Sequence, residues 1–538
     1  MHPTRSNRSN RRADMPFRIA MTAALIATLQ CFAGSSTPAN AADDRGAPSV
    51  SSSEIPWPTK SWPVSTPEEQ GMDSASLARL IETVGGYKQD SLMIIRHGRI
   101  VADVYYAPYV AGIAHDLRSV TKSVVGTLVG IEAQRGELDS VDHAIVDLFS
   151  DKPVANDDDL KRAITVQHLL DMTSGIKWRE RAYTPDETIM QMYRSPNRAA
   201  FVLDQPMSDA PGSQFYYNGG NPYLLSALIT RKTGQSAFDF ARKELFAPLG
   251  ITSAAWGRVD AQGNSNGEAG LYLAPHDMAR IGYLYLHDGM WDGKQLIPRS
   301  WVERAKAGPV QATFGFHYGN LWWSLPEKGA YMARGRHSQL ILVLPKLDIV
   351  AVMTGVLRDD EFFSTSRLID DIASAVKSES ALPADPIAKS LLAAAIQQAA
   401  TERPSALGGT SELAKTISGR TYRLDKNDLR VRTFTLNFSE PDASWLITTE
   451  TGKPDGIEDR FTGPMGLDGT FRTSLPASYG INAVRGRWLN ERTFLVERRI
   501  LGHGEMQTWS LTFDGNKVAV AFANTDGTKA ALRGEAAE

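Results

Sequence analysis

Arg118-Ser119-Val120-Thr121-Lys122, followed by Ser123-Val124-Val125-Gly126-Thr127-Leu128-Val129-Gly130, is the stretch from which the rest of the chain is read. It sets a hydroxyl and an ammonium three residues apart, which puts them on one face of a helix. The residues after Lys122 are small and apolar, as suits a helix buried beneath an active-site floor. A serine hydroxyl alone is a poor nucleophile, and an adjacent basic group changes what Ser119 can do.

Spacing alone is not decisive, because Ser174-Gly175-Ile176-Lys177 and Ser374-Ala375-Val376-Lys377 repeat it. A surface serine beside a solvated lysine is the ordinary reading of such a pair. The Ser119 copy is set apart by three segments on its C-terminal side. These are Ile164-Thr165-Val166-Gln167-His168-Leu169-Leu170-Asp171-Met172-Thr173-Ser174-Gly175, then Pro211-Gly212-Ser213-Gln214-Phe215-Tyr216-Tyr217-Asn218, then Ala333-Arg334-Gly335-Arg336-His337-Ser338-Gln339 leading into an apolar run. Motifs in this order resemble the serine β-lactamase and penicillin-binding-protein superfamily. They are most similar to its class C-type branch, which includes esterases, D-aminopeptidases and 6-aminohexanoate-dimer hydrolases.

The resemblance covers residues 56–378. It implies an α/β fold, a β-lactamase-like antiparallel sheet flanked by helices with a helical insertion. It also implies that Ser119 attacks an ester or amide carbonyl while Lys122 or Tyr217 takes its proton, with no cofactor. A lysine buried in cationic or apolar surroundings loses pKa and serves as a base. Tyr217 fills the place of the family's second motif, its phenol lowered by Lys122, with Tyr216 as the competing assignment. Gly219 stands where the family has Asn, and Asn218 or Asn221 is expected to supply the missing amide. In the third motif Arg336 keeps a positive charge suited to a carboxylate, beside His337, and edge-strand surface charge is the alternative for both. The backbone N–H groups of Ser119 and Gln339 are expected to form the oxyanion hole. Trp178 is expected to line the cleft, against core packing as the alternative. His168, in an apolar helical run, reads as a capped or core histidine, and His276 and Asp277 as helix caps.

The chain has 538 residues, enough for two or three domains. Its 58 basic and 61 acidic residues, net −3, point away from a polyanion partner, and no basic stripe interleaved with aromatics suggests nucleic acid. The partner expected is a small ester or amide. Arg5, Arg8, Arg11, Arg12 and Arg18 precede an apolar stretch from Ile19 to Gly34, and Pro38-Ala39-Asn40-Ala41 resembles a signal-peptidase site. A cleaved signal peptide over 1–41 and a periplasmic or secreted location are therefore expected, followed by a flexible lead-in over 42–55. The single cysteine, Cys31, falls in that segment, so a mature chain would hold no disulfide and no stable membrane span.

Ser91–Arg96 and Ile100–Tyr106 read as a hairpin, Pro275 opens a helix to Leu286, and Leu340–Leu344 and Ile349–Met353 are strands split by a turn. Residues 379–409 read as a linker with one helical stretch. Beyond it Phe434, Leu436 and Phe438 alternate with Thr433, Thr435 and Asn437, the period of a half-buried strand. Six or more antiparallel strands over 410–538 predict an all-β barrel or sandwich, lipocalin-like, acting as an accessory or a ligand-binding domain. The loops 178–210 and 255–270 carry no readable motif. An acyl-enzyme hydrolase is the reading that results. The alternatives are a non-catalytic penicillin-binding-like sensor and a true β-lactamase or D-peptidase.

Overall fold

The computed structural model describes residues 56–537, apart from 152, 182, 359–360, 362, 403, 405–410, 440–442, 451–457 and 478–479. The expected signal peptide, Cys31 and the lead-in over 42–55 lie outside the described residues. Among the described residues no helix is long and apolar enough to cross a membrane.

Six helices organise the first part of the chain: α1 (Ser74–Gly85), α2 (Val120–Gln134), α3 (Gly220–Thr233), α4 (Pro275–Leu286), α5 (Thr365–Ala375) and α6 (Pro386–Ala399). They surround a sheet of β1 (Gln89–Arg96), β2 (Arg99–Tyr105), β3 (Val310–Gln311), β4 (His317–Gly319), β5 (Trp322–Leu325), β6 (Ala330–Gly335), β7 (Gln339–Leu344) and β8 (Ile349–Gly355). Its order is β2-β1-β8-β7-β6-β5-β4-β3, with neighbouring strands antiparallel throughout. The unbroken apolar run of β1 has its reason here: Met93 and Ile95 join the core on one face while Leu92 and Ile94 join the core on the other.

Helix α2 is buried from Val120 to Glu132, so it has no solvent face and no need for an amphipathic pattern. It packs between the sheet and the helical insertion, with Val124, Val125 and Leu128 in the same core as Leu224 and Leu228 of α3. The stretch expected to be linker is partly structural. α6 lays Leu392 and Ala395 into the core that α1 also fills.

The C-terminal strands are β9 (Thr421–Leu424), β10 (Val431–Asn437), β11 (Ser444–Glu450), β12 (Glu458–Pro464), β13 (Arg472–Thr473), β14 (Asn482–Trp488), β15 (Thr493–Ile500), β16 (Glu505–Asp514), β17 (Lys517–Asn524) and β18 (Lys529–Ala536). They form one antiparallel meander in which the first strand, β9, pairs with the last, β18. The result is a nearly closed barrel, interrupted between β12 and β13. Phe434 and Leu436 point into its core as their alternation requires. Phe434, Leu436, Trp445, Phe494, Val496 and Trp509 pack together in its interior. The void among Phe434, Leu436, Trp445, Val496 and Trp509 is about 20 Å³, room for one water.

Candidate active site

Ser119 occupies the N-cap position of the long buried helix α2, with its hydroxyl making no capping bond to the helix amides. The first three amides of α2 are paired in a tight turn, Val120 N–H to the Leu117 carbonyl, Thr121 N–H to that of Arg118 and Lys122 N–H to that of Ser119, and the helix dipole adds partial positive charge at this end. One turn on, Lys122 is 1% exposed, and its Nζ donates to Ser119 Oγ at 3.0 Å. It also donates to the Glu268 carbonyl at 2.8 Å and to Glu268 Oε2 at 3.2 Å. An ammonium has three protons, and all three are committed. The ammonium further lies 5.0 Å from the ring centre of Tyr217.

This corrects the expectation that Lys122 has a depressed pKa. Burial alone would lower it, but the acidic groups around it, Tyr217, Glu268 and Glu180, outweigh burial and hold the ammonium above its ordinary value. The surroundings are anionic, not cationic or apolar.

Tyr217 is half-buried and stacks on Trp323, with centroids 6.0 Å apart. Tyr216 is 41% exposed and donates its hydroxyl to the Trp178 carbonyl at 2.8 Å. Of the two tyrosines, Tyr217 is thus the one facing Lys122.

Gly219 has a steric cause. Its N–H donates to Glu180 Oε2 at 2.6 Å, and a Cβ there would come within 2.7 Å of that oxygen and 3.1 Å of Ile189 Cδ1. The space an asparagine would need holds the Glu180 carboxylate. Neither neighbouring amide replaces it. Asn218 is 1% exposed, with Oδ1 accepting the Gly220 N–H at 2.7 Å, and Asn221 is fully buried, accepting from Ser174. Asn218, expected to touch substrate, instead braces the start of α3. Trp178 is 3% exposed and donates to Glu180 Oε2 at 2.8 Å, so it fixes the carboxylate rather than lining open cleft. Burial first, then Glu268, push the Glu180 carboxyl up, against the opposing pull of Lys122.

The third motif is displaced by one strand. A Cβ on Gly335 would collide with the Leu117 carbonyl and lie 3.1 Å from the Ser119 nitrogen, so the end of β6 packs directly on the nucleophile. Gln339 pairs with Gly335 from β7, one strand spacing farther away, about 4.8 Å. Its amide donates to the His337 and Gly355 carbonyls. The peptide beside Ser119 is therefore the one after Gly335, not that of Gln339. His337, φ 67, is 5% exposed and meets the Leu357 carbonyl through Nδ1 at 2.6 Å. Arg336 is half-buried, with its guanidinium 5.1 Å from the Tyr183 ring centre and donating to the Asp526 carbonyl at 3.1 Å.

Three residues that sequence reasoning missed belong to this neighbourhood. Glu180 and Glu268 flank Lys122, and both come from the loops without readable motifs. Arg334, on β6 just before Gly335, lies 4.6 Å from the Phe316 ring centre and 5.8 Å from that of Trp323. Its guanidinium has no hydrogen bond or ion pair among the described residues. His168 forms a capping box with Thr165. His276 and Asp277 do not cap: they pair with Asp103 and Arg280. Among the described residues no group of three or more His, Cys, Asp or Glu is arranged to hold a metal ion.

The family model described as Beta-lactamase matches residues 77–373, more than half of the chain. A 6-aminohexanoate-dimer hydrolase from Paenarthrobacter ureafaciens is 26% identical over 290 residues, which span 49% of this chain and 71% of that protein. A lovastatin esterase from Penicillium rubens is 28% identical over 116 residues, 20% of this chain and 27% of that one. Among solved structures, an octameric penicillin-binding protein homologue from Pyrococcus abyssi is 16% identical with a TM-score of 0.44, covering 86% of this chain and 99% of that chain.

Proposed function

The chain belongs to the beta-lactamase family, and from that premise we propose that it is a serine hydrolase cleaving a small ester or amide through an acyl-enzyme on Ser119. The observation that carries the reading is the contact of a fully buried ammonium with the hydroxyl, Lys122 Nζ to Ser119 Oγ at 3.0 Å, at a helix N-terminus. The esterase and amide hydrolase among its relatives support the substrate class.

Lys122 has no free lone pair, because its three protons are committed and its neighbours keep it protonated. Its role is electrostatic. It orients Ser119 Oγ and stabilises the phenolate form of Tyr217, which accepts the Ser119 proton and becomes the neutral phenol. Oγ then bonds to the substrate carbonyl carbon. The resulting oxyanion is met by the Ser119 N–H and the N–H of the peptide after Gly335. Collapse breaks the bond to the alcohol or amine, which leaves with the proton from Tyr217, and water releases the acyl group by the reverse path. The sequence ahead of Ala42 supports a location outside the cytoplasm.

The test is turnover of short-chain p-nitrophenyl esters by wild type, Ser119→Ala and Tyr217→Phe. Turnover abolished by Ser119→Ala and reduced about 10²-fold or more by Tyr217→Phe supports the reading. Full activity in Tyr217→Phe returns the base to Lys122, and turnover that survives Ser119→Ala overturns the assignment.

A further inference from the structure

We propose that the C-terminal barrel is a working part of the active site, in which Glu505 and the His503 carbonyl, acting through Arg118, hold Ser119 in its attacking position. The proposal rests on the reading of Ser119 as the nucleophile.

Arg118, the residue before Ser119, has φ 49. That is the left-handed region, which a bulky non-glycine residue occupies only where its surroundings over-determine it. Some of those surroundings are local. The Arg118 N–H donates to Asp116 Oδ1 at 2.9 Å, and its Nε lies 3.4 Å from Asp116 Oδ2. The rest come from the barrel. Arg118 Nη2 donates to the His503 carbonyl at 2.8 Å and to Glu505 Oε1 at 2.9 Å. Glu505 is in turn held by Asn524, whose amide donates to Oε2 at 3.2 Å.

The barrel reaches the same segment twice more. The Asp116 N–H donates to the Gly502 carbonyl at 2.6 Å. His115 Nε2 meets Asp90 Oδ2 at 3.0 Å, and the other oxygen of that fully buried carboxylate accepts from Arg499 of β15. Residues 115, 116 and 118 are thus all tied, directly or through one carboxylate, to the β15–β16 hairpin. On the opposite flank Arg336, next after Gly335, donates to Asp526 in the β17–β18 turn. Both peptides assigned to the oxyanion are therefore buttressed from the same domain. An attack angle set by a strained residue is sensitive to such supports, since a displacement of about 1 Å costs on the order of 10²-fold in rate. Glu505 is a positioning residue here: it touches Arg118, not the reacting atoms.

The experiment uses the full chain with Glu505→Ala, Glu505→Gln and Arg118→Lys, and Glu497→Gln as the control. Glu497 pairs with Arg485 at 2.7 Å elsewhere on the barrel. Four quantities are read: fluorophosphonate labelling rate, kcat and KM on a p-nitrophenyl ester, melting temperature, and deuterium exchange of peptide 114–124. Glu505→Ala should lower labelling and kcat at least tenfold with KM within twofold, and raise exchange in 114–124, at a melting temperature close to that of Glu497→Gln. Glu505→Gln, which keeps an oxygen for Arg118, should recover most of the loss. Arg118→Lys has a single nitrogen and cannot both reach the barrel acceptors from the Nη2 position and stay beside Asp116 as Nε does, so it should resemble Glu505→Ala. Unchanged exchange at 114–124 in Glu505→Ala overturns the proposal, as does a rate loss no larger than that of the control. If Glu505→Ala does not fold, Glu505→Gln and Arg118→Lys decide by the same readouts. A wild type that neither labels nor turns over refutes the hydrolase reading instead, and the exchange data still decide this one.

Discussion

Replacing Glu132 by glutamine removes a charge from the helix that carries Ser119 and Lys122. Glu132 is fully buried, and neither side-chain oxygen has a hydrogen-bond partner among the described residues. Burial, reinforced by Glu137 and only partly opposed by Lys232 and Arg135, pushes its carboxyl from 4.5 up to about 7. An acid raised on folding stabilises the fold while neutral and loses that advantage as pH climbs through both values. At about 1.4 kcal/mol per pH unit, the difference makes the ionised protein about 3 kcal/mol less stable than the protonated one. Roughly 2 kcal/mol of that change falls between about pH 5.5 and 8.5. The glutamine variant carries no such titration. Urea unfolding of both proteins across that interval should show the variant gaining about 2 kcal/mol on wild type as pH rises. Parallel pH dependences would refute the reasoning, because they would mean that Glu132 ionises as freely in the fold as outside it.

Gly219→Asn restores the family's residue type yet should destabilise the protein by about 1–3 kcal/mol and reduce ester turnover, because its Cβ meets Glu180; melting temperature and kcat check it. Lys122→Met leaves Glu180 and Glu268 buried without their cation, a loss of about 3–5 kcal/mol, read by denaturant unfolding. The raised Lys122 ammonium contributes throughout the neutral range and is lost only above the ordinary lysine value, so kcat/KM should show no ionisation of Lys122 below about pH 10. Arg334→Gln should lower kcat/KM for esters carrying a carboxylate about tenfold relative to neutral esters of equal size; an unchanged ratio would leave Arg334 a structural cation over Phe316.

The legible parts are those encoded by local order. The Ser119 to Lys122 spacing, the Pro211-Gly212 lead into Tyr217 and the alternation at Phe434 and Leu436 each depend on near neighbours in sequence. What escapes depends on contacts that no short window contains. The protonation of Lys122 is set by carboxylates from two irregular loops, Glu180 and Glu268, which bear no spacing signal. Gly219 reads as a lost amide because the Glu180 carboxylate in its place arrives from 39 positions earlier in the chain. The third motif reads one strand out of place because residues 336–338 form a short connection inside a hairpin, and the motif's letters do not say which strand meets Ser119. The barrel's short strands Thr421–Leu424 and Arg472–Thr473 are invisible in sequence for lack of length, and α6 reads as linker because its apolar residues are mostly alanine.

The most direct test of the account is intact-mass spectrometry with peptide mapping of the chain and of Ser119→Ala after exposure to a fluorophosphonate. One adduct, located on Ser119 and absent from the variant, is the result predicted. An adduct on another residue, or no adduct on a folded protein that turns over esters, would contradict it.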